Sequence, residues 1–135
     1  MTEAQIVVEV CPGPLDPQQL LAKLDLDGCG SVVSFLGLTR GMEGGREISA
    51  LEFDGWELRL KDELATICSE AISNFHVRCI ALSHRVGIVG VSAPIVSIHV
   101  GSAHRQEGFE ACSWLISSLK KHASLWKLQH FTDGA

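Results

Sequence analysis

The sequence predicts an α+β fold in which helices, two long and one short, pack on a mostly antiparallel sheet. Three observations carry that expectation. Apolar runs of strand type alternate with segments of helical apolar spacing. Their order, β-α-β-β-α-β-β-α-β, mixes hairpins with helical crossovers. The 135 residues, 46% apolar and 20% charged, suit one domain spanning 1–135 that buries about two-thirds of its unfolded surface.

The elements follow in order. QIVVEV (5–10) reads as a strand. The short helix comes next, with Asp16 as its N-cap and Pro17 at the first helical position, where a missing N–H costs nothing. DGCG (27–30) breaks the chain. SVVSFLGL (31–38) is nearly continuous in apolar residues, which predicts a strand buried on both faces. A glycine-rich loop, TRGMEGGRE, leads to ISALEFD (48–54), and the two strands are expected to form a hairpin with a long tip. From Trp56 to Phe75 the apolar positions 60, 64, 67, 68, 71, 72 and 75 keep helical spacing. VRCIALSHRVG (77–87) and APIVSIHVG (93–101) are two further strands, 105–122 the second long helix, and LWKLQHF (125–131) a last strand.

On the second long helix, Phe109, Cys112, Leu115, Ile116 and Leu119 define one apolar stripe. By the same rotation Lys120 borders the buried side, Lys121 faces solvent, and Trp114 points away from the core, to be half-covered by a neighbouring loop or, alternatively, by a subunit contact. Cys68 and Cys112 fall on apolar faces and are expected to pack in the core.

Composition narrows the function. Eleven basic against sixteen acidic side chains leave a formal charge of -5, which argues against nucleic acid or an anionic membrane as partner. The five cysteines show no C-x-x-C pair and no zinc-type histidine spacing, so no zinc site is expected; no other metal or cofactor is expected either. The first residues lack a basic start and a long apolar core, and no run reaches the roughly 18 residues of a membrane span. The expected compartment is a reducing cytoplasm.

Positive charge is instead local. Between Ala111 and Thr132 there is no acid, while Lys120, Lys121, Lys127, His122 and His130 all occur. A lysine-rich helix end also arises simply because cations complement the C-terminal dipole, and composition alone favours that reading. GSAHR (101–105) places His104 and Arg105 where a strand ends and a helix begins, a position suited to an anion. Arg40 stands at the mouth of the glycine-rich loop, which lacks the G-K-[ST] ending of a P-loop. His84 and Arg85 have no identifiable nucleophile or carboxylate beside them and read as structural. His99 reads as a strand-face histidine satisfied by hydrogen bonds.

Taken together, GSVVSFLGLTRG, ISALEFDGW, LSHRVG, VGSAHRQEGFEAC and LKKHASLWK resemble, in order and spacing, the large catalytic subunit of molybdopterin synthase, from about Gly30 to Lys127. The resemblance implies an α/β-hammerhead-like sandwich. It also implies an activity: transfer of sulfur from the C-terminal thiocarboxylate of a small ubiquitin-like carrier to cyclic pyranopterin monophosphate, forming the dithiolene of molybdopterin. The implied assembly is a homodimer inside a heterotetramer, with the carrier's Gly-Gly tail threaded into a pocket. By motif match Lys120 serves the carrier terminus and Lys127 the pterin, while Arg40, His104 and Arg105 hold the phosphate. The resemblance thus singles out Lys120, but not Lys121, from the helix-end lysines. Ser124 stands where the family has proline, and Leu128 and Gln129 where it has Lys-Glu. These departures define a second reading, a homodimeric carrier-binding module of the same fold with weak turnover.

Overall fold

The structure, a computed structural model, describes residues 3–55, 57–121 and 125–132; Trp56, His122 and Ser124 lie outside them. The chain runs β1 (Gln5–Cys11), α1 (Pro17–Ala22), β2 (Ser31–Leu38), β3 (Met42–Glu43), β4 (Arg46–Gly55), α2 (Glu57–Phe75), β5 (Cys79–Arg85), β6 (Gly87–Gly90), β7 (Pro94–Ser102), α3 (Arg105–Leu119) and β8 (Leu125–Phe131). The α+β class, the three helices and the dominance of antiparallel pairing agree with the sequence reading.

Two sheets form. The first has the order β1-β5-β7-β2, in which only β1 and β5 pair in parallel. In the second, β4 pairs antiparallel with β3, β6 and β8. One face of the first sheet carries α2 and α3. Leu60, Leu64, Ile67, Cys68 and Ala71 of α2 meet Ile80, Leu82, Ile98 and Val100 of the strands and Ala111, Cys112 and Leu115 of α3 in one buried cluster. Burial of each large side chain there stabilises the fold by about 1.5–3 kcal/mol. Cys68 and Cys112 are core residues as expected, and burial pushes the Cys68 thiol up to about 12. The short helix α1 and the residues just after it cover part of the opposite face, setting Leu20 and Leu24 on Cys79 and Ala81. Its cap is the one the sequence announces: the Asp16 carboxylate accepts from the Gln19 N–H, and Pro17 opens the helix.

Several expectations fail for identifiable reasons. β2 is not buried on both faces; it is an edge strand that pairs only with β7, and Leu36 is 44% exposed on its outer face. Nor do β2 and β4 form a hairpin, since they belong to different sheets. The partner that turns back onto β4 is the two-residue β3, through Gly44 and Gly45 at φ 58° and 78°, a left-handed pair that glycine supplies without strain. The run 77–87 ends as a strand at Arg85, and Gly87, at φ 87°, starts β6 in the second sheet. α3 stops at Leu119, three residues short of the expected end.

The seat of α3 is also rotated from the expected stripe. Phe109 is 60% exposed, while Gly108, Ala111, Cys112 and Leu115 are buried. The cause is close approach to the sheet: a Cβ at Gly108 would stand 3.0 Å from both Ser102 Oγ and Val33 Cγ2. Small residues let the backbone in and turn Phe109 out. Trp114, expected to point away, is half-buried against α2, edge-on to Phe75 with ring centroids 6.1 Å apart.

Candidate functional site

The two sheets and the end of α3 enclose a cavity of about 590 Å³. Its walls are apolar. Phe35 of β2, Val96 of β7 and Ile116 and Leu119 of α3 face Ile48, Leu51 and Phe53 of β4. Alternation along a strand would set Ile48 on the opposite face from Leu51 and Phe53. A bulge between Ile48 and Ala50, where the register with β8 shifts, brings all three to the cavity side.

Polar side chains converge from five elements, β2, β3, β5, α3 and β8, or the residues that follow them directly. Ile116, Leu119 and Lys120 follow the i, i+3, i+4 rows of a helix face, so the turn that packs Ile116 also delivers Lys120, the C-cap residue of α3. Lys121, one residue on, is exposed and lies off the cavity, as expected. On β8, Lys127 pairs across from Phe53 and Gln129 from Leu51; both line the cavity, while Leu128 between them is 58% exposed on the other face. Arg40 follows β2 at the mouth, and its guanidinium pairs with Glu43 at 3.4 Å. Such a surface pair contributes about 0–1 kcal/mol, so an incoming anion displaces it at little cost.

His84 forms part of the same lining at the end of β5, only 4% exposed, with Phe53 edge-on at 5.2 Å. Its Nδ1 lies 2.8 Å from the Arg85 carbonyl oxygen. A carbonyl only accepts, so Nδ1 carries the proton. Burial lowers the pKa of the ring from its ordinary value, with the carbonyl bond acting in the opposite sense.

Of the five residues singled out from sequence, Arg40, Lys120 and Lys127 share this cavity. His104 and Arg105 do not. They stand exposed at the start of α3, where His104 is the N-cap residue without a side-chain capping bond. His99 is a structural histidine as expected, its two ring nitrogens 2.7 Å from Ser34 Oγ and 2.9 Å from Ser97 Oγ. Glu43, Gln129 and His84 were not among the expected site residues. Gln129 was legible in principle, two residues after Lys127 on one strand face. The place of His84 depends on a contact between two sheets that no local pattern encodes.

An apolar-walled pocket with cations at its mouth defines a site for a small anionic ligand or an anionic chain end inserted from solvent. Comparison with known proteins makes this specific. Residues 10–122 match the model of the MoaE protein family, and the chain belongs to that family. A relative from Thermoplasma volcanium, named molybdopterin synthase catalytic subunit, is 29% identical over 127 residues, covering 94% of this chain and 93% of its own length. One of the same name from Synechococcus elongatus is 37% identical over 109 residues, covering 80% of this chain and 66% of that protein. The crystal structure of molybdopterin synthase from Staphylococcus aureus superposes with a TM-score of 0.82 at 27% identity, covering 99% of this chain and 95% of the other.

Proposed function

We propose that this chain is the catalytic subunit of a molybdopterin synthase, transferring sulfur from the thiocarboxylate of a small ubiquitin-like carrier to cyclic pyranopterin monophosphate. The observation that carries the reading is the meeting of Arg40, Lys120 and Lys127, from three separate elements, on one apolar-walled cavity. Both reactants are anions. A thiocarboxylate at the end of an extended tail suits a cavity that is apolar inside and cationic at the mouth. Lys120 orients that terminus, Lys127 holds the pterin beside it, and Arg40 takes the phosphate in exchange for Glu43. No cofactor or metal enters this scheme.

His104 and Arg105 belong to the same reaction only through a second copy. α3 has 15 residues and is therefore about 22 Å long, with Lys120 at one end and His104 and Arg105 at the other. One small substrate does not span that distance. In a homodimer, the partner's N-terminal end of α3 supplies the two groups to the phosphate side of the cavity, and one carrier docks on each protomer to complete a heterotetramer. We place the assembly, with 1–135 as one domain, in the cytoplasm. Among the described residues no helix is long and apolar enough to cross a membrane.

The test is formation of the dithiolene pterin from purified protein, cyclic pyranopterin monophosphate and thiocarboxylated carrier. Lys120→Ala and Lys127→Ala should each lower the rate by about 100-fold or more, with unchanged thermal unfolding because both side chains are exposed. Wild-type protein that binds carrier and makes no product would refute the proposal.

A further inference from the structure

Resting on the sulfur-transfer reading, a further role emerges for a residue that reading does not use. Exchange of sulfur for oxygen at the carrier's acyl carbon needs an oxygen nucleophile, and an oxygen that attacks as water must lose a proton. Among the polar side chains of the cavity, Arg40, Lys120 and Lys127 are cations, the Gln129 amide is not a base, and Glu43, released from Arg40 when the phosphate binds, is a carboxylate with a 42% exposed side chain at the mouth. His84 differs from all of them. It is buried in the lining, its Nδ1 proton is committed to the Arg85 carbonyl at 2.8 Å, and its Nε2 makes no hydrogen bond among the described residues. A ring tied down at Nδ1 presents Nε2 as a lone-pair acceptor. Phe53, edge-on at 5.2 Å, holds the ring plane from the side of β4.

We propose that His84 is the catalytic base that releases the carrier, acting through Nε2 on the water that cleaves the acyl–sulfur bond. The step balances without an added reactant. Once the thiocarboxylate sulfur has bonded to the pterin, carrier and substrate are joined as a thioester. Water oxygen forms a bond to the acyl carbon and gives one proton to Nε2. The carbon–sulfur bond on the acyl side breaks with its electron pair on sulfur, and Nε2 returns the proton to that sulfur. The products are the carrier carboxylic acid and the pterin thiol. Burial of the ring favours its return to the neutral form after each cycle.

His84→Asn separates this role from a structural one. The asparagine amide can still donate to the Arg85 carbonyl in place of Nδ1, but nothing remains at the position of Nε2. With thiocarboxylated carrier and cyclic pyranopterin monophosphate under single-turnover conditions, the variant should form product about 100-fold or more slowly than wild type. It should also accumulate carrier carrying the mass of the joined pterin in quenched samples. A rate within threefold of wild type overturns the proposal, and so does a slow variant with no joined species, which would place the defect before release. Should His84→Asn fail to fold, ¹⁵N NMR of the wild-type histidines decides: a neutral Nδ1–H tautomer for His84 supports the base role, and an Nε2–H tautomer excludes it. Failure of the wild type itself to make product is a different outcome, and it refutes the sulfur-transfer reading on which this one rests.

Discussion

The two ends of α3 carry similar chemistry in opposite settings. At the C-terminal end, Ile116 and Leu119 are packed into the cavity wall and hold Lys120 at its edge, facing Lys127 and Gln129 on β8 and Arg40 beyond β2. At the N-terminal end, His104 and Arg105 stand in solvent, with Phe109 exposed one turn further along. The difference teaches that a cationic residue becomes part of a site through the apolar neighbours that fix it, not through its own charge. In the proposed homodimer the site is divided between two copies of the chain, the Lys120 end of the helix serving its own cavity and the Arg105 end serving the partner's.

Several changes would break or sharpen that contrast. Leu115→Ala removes the fully buried anchor one turn before Leu119 and should cost about 2–5 kcal/mol in urea unfolding, with the cavity end of α3 loosened and activity lost as well. A smaller effect is expected from pH. His84 and His99 are both lowered below the ordinary value of 6.5, chiefly by burial, so the unfolded chain binds protons more readily than the folded one. Stability should therefore be level above about pH 6.5 and fall as the pH drops from there through the folded values. Comparing urea midpoints at about pH 7.5 and about pH 5.5 for wild type and His84→Asn checks this, and the variant should show the shallower decline. The smallest effect belongs to Phe109→Ala, which should leave the stability of the isolated protomer within about 0.5 kcal/mol of wild type because the residue is 60% exposed there.

Much of the fold was legible because its signals are local. The cap of α1 by Asp16 and Pro17, the seven-position apolar face of α2 and the strand character of 93–101 each depend on residues within a few positions of one another. Other features were not, since they depend on what meets across the molecule. An apolar run such as 31–38 suggests a doubly covered strand, but only the sheet order shows β2 to be an edge. Helical spacing placed Phe109 in the stripe, whereas the closeness of Gly108 to Val33 and Ser102 sets the true rotation. The site was legible in the same uneven way. Arg40, Lys120 and Lys127, which the motifs put in one site, line one cavity, yet His104 and Lys120, read as parts of the same site, lie at opposite ends of one helix. Nothing local could have joined His84 to them, because its ring reaches the cavity where the two sheets meet.

The division of the site between two copies is tested most directly by mixing. Lys120→Ala and Arg105→Ala proteins, each inactive alone, are unfolded together, refolded and assayed for dithiolene pterin with thiocarboxylated carrier. If Arg105 serves the cavity of the other protomer, half the dimers are mixed and one of the two sites in each is intact, so roughly a quarter of wild-type activity should return. A mixture that stays as inactive as its components, while mixed dimers are present, would contradict the account and place both residues in the service of a single chain.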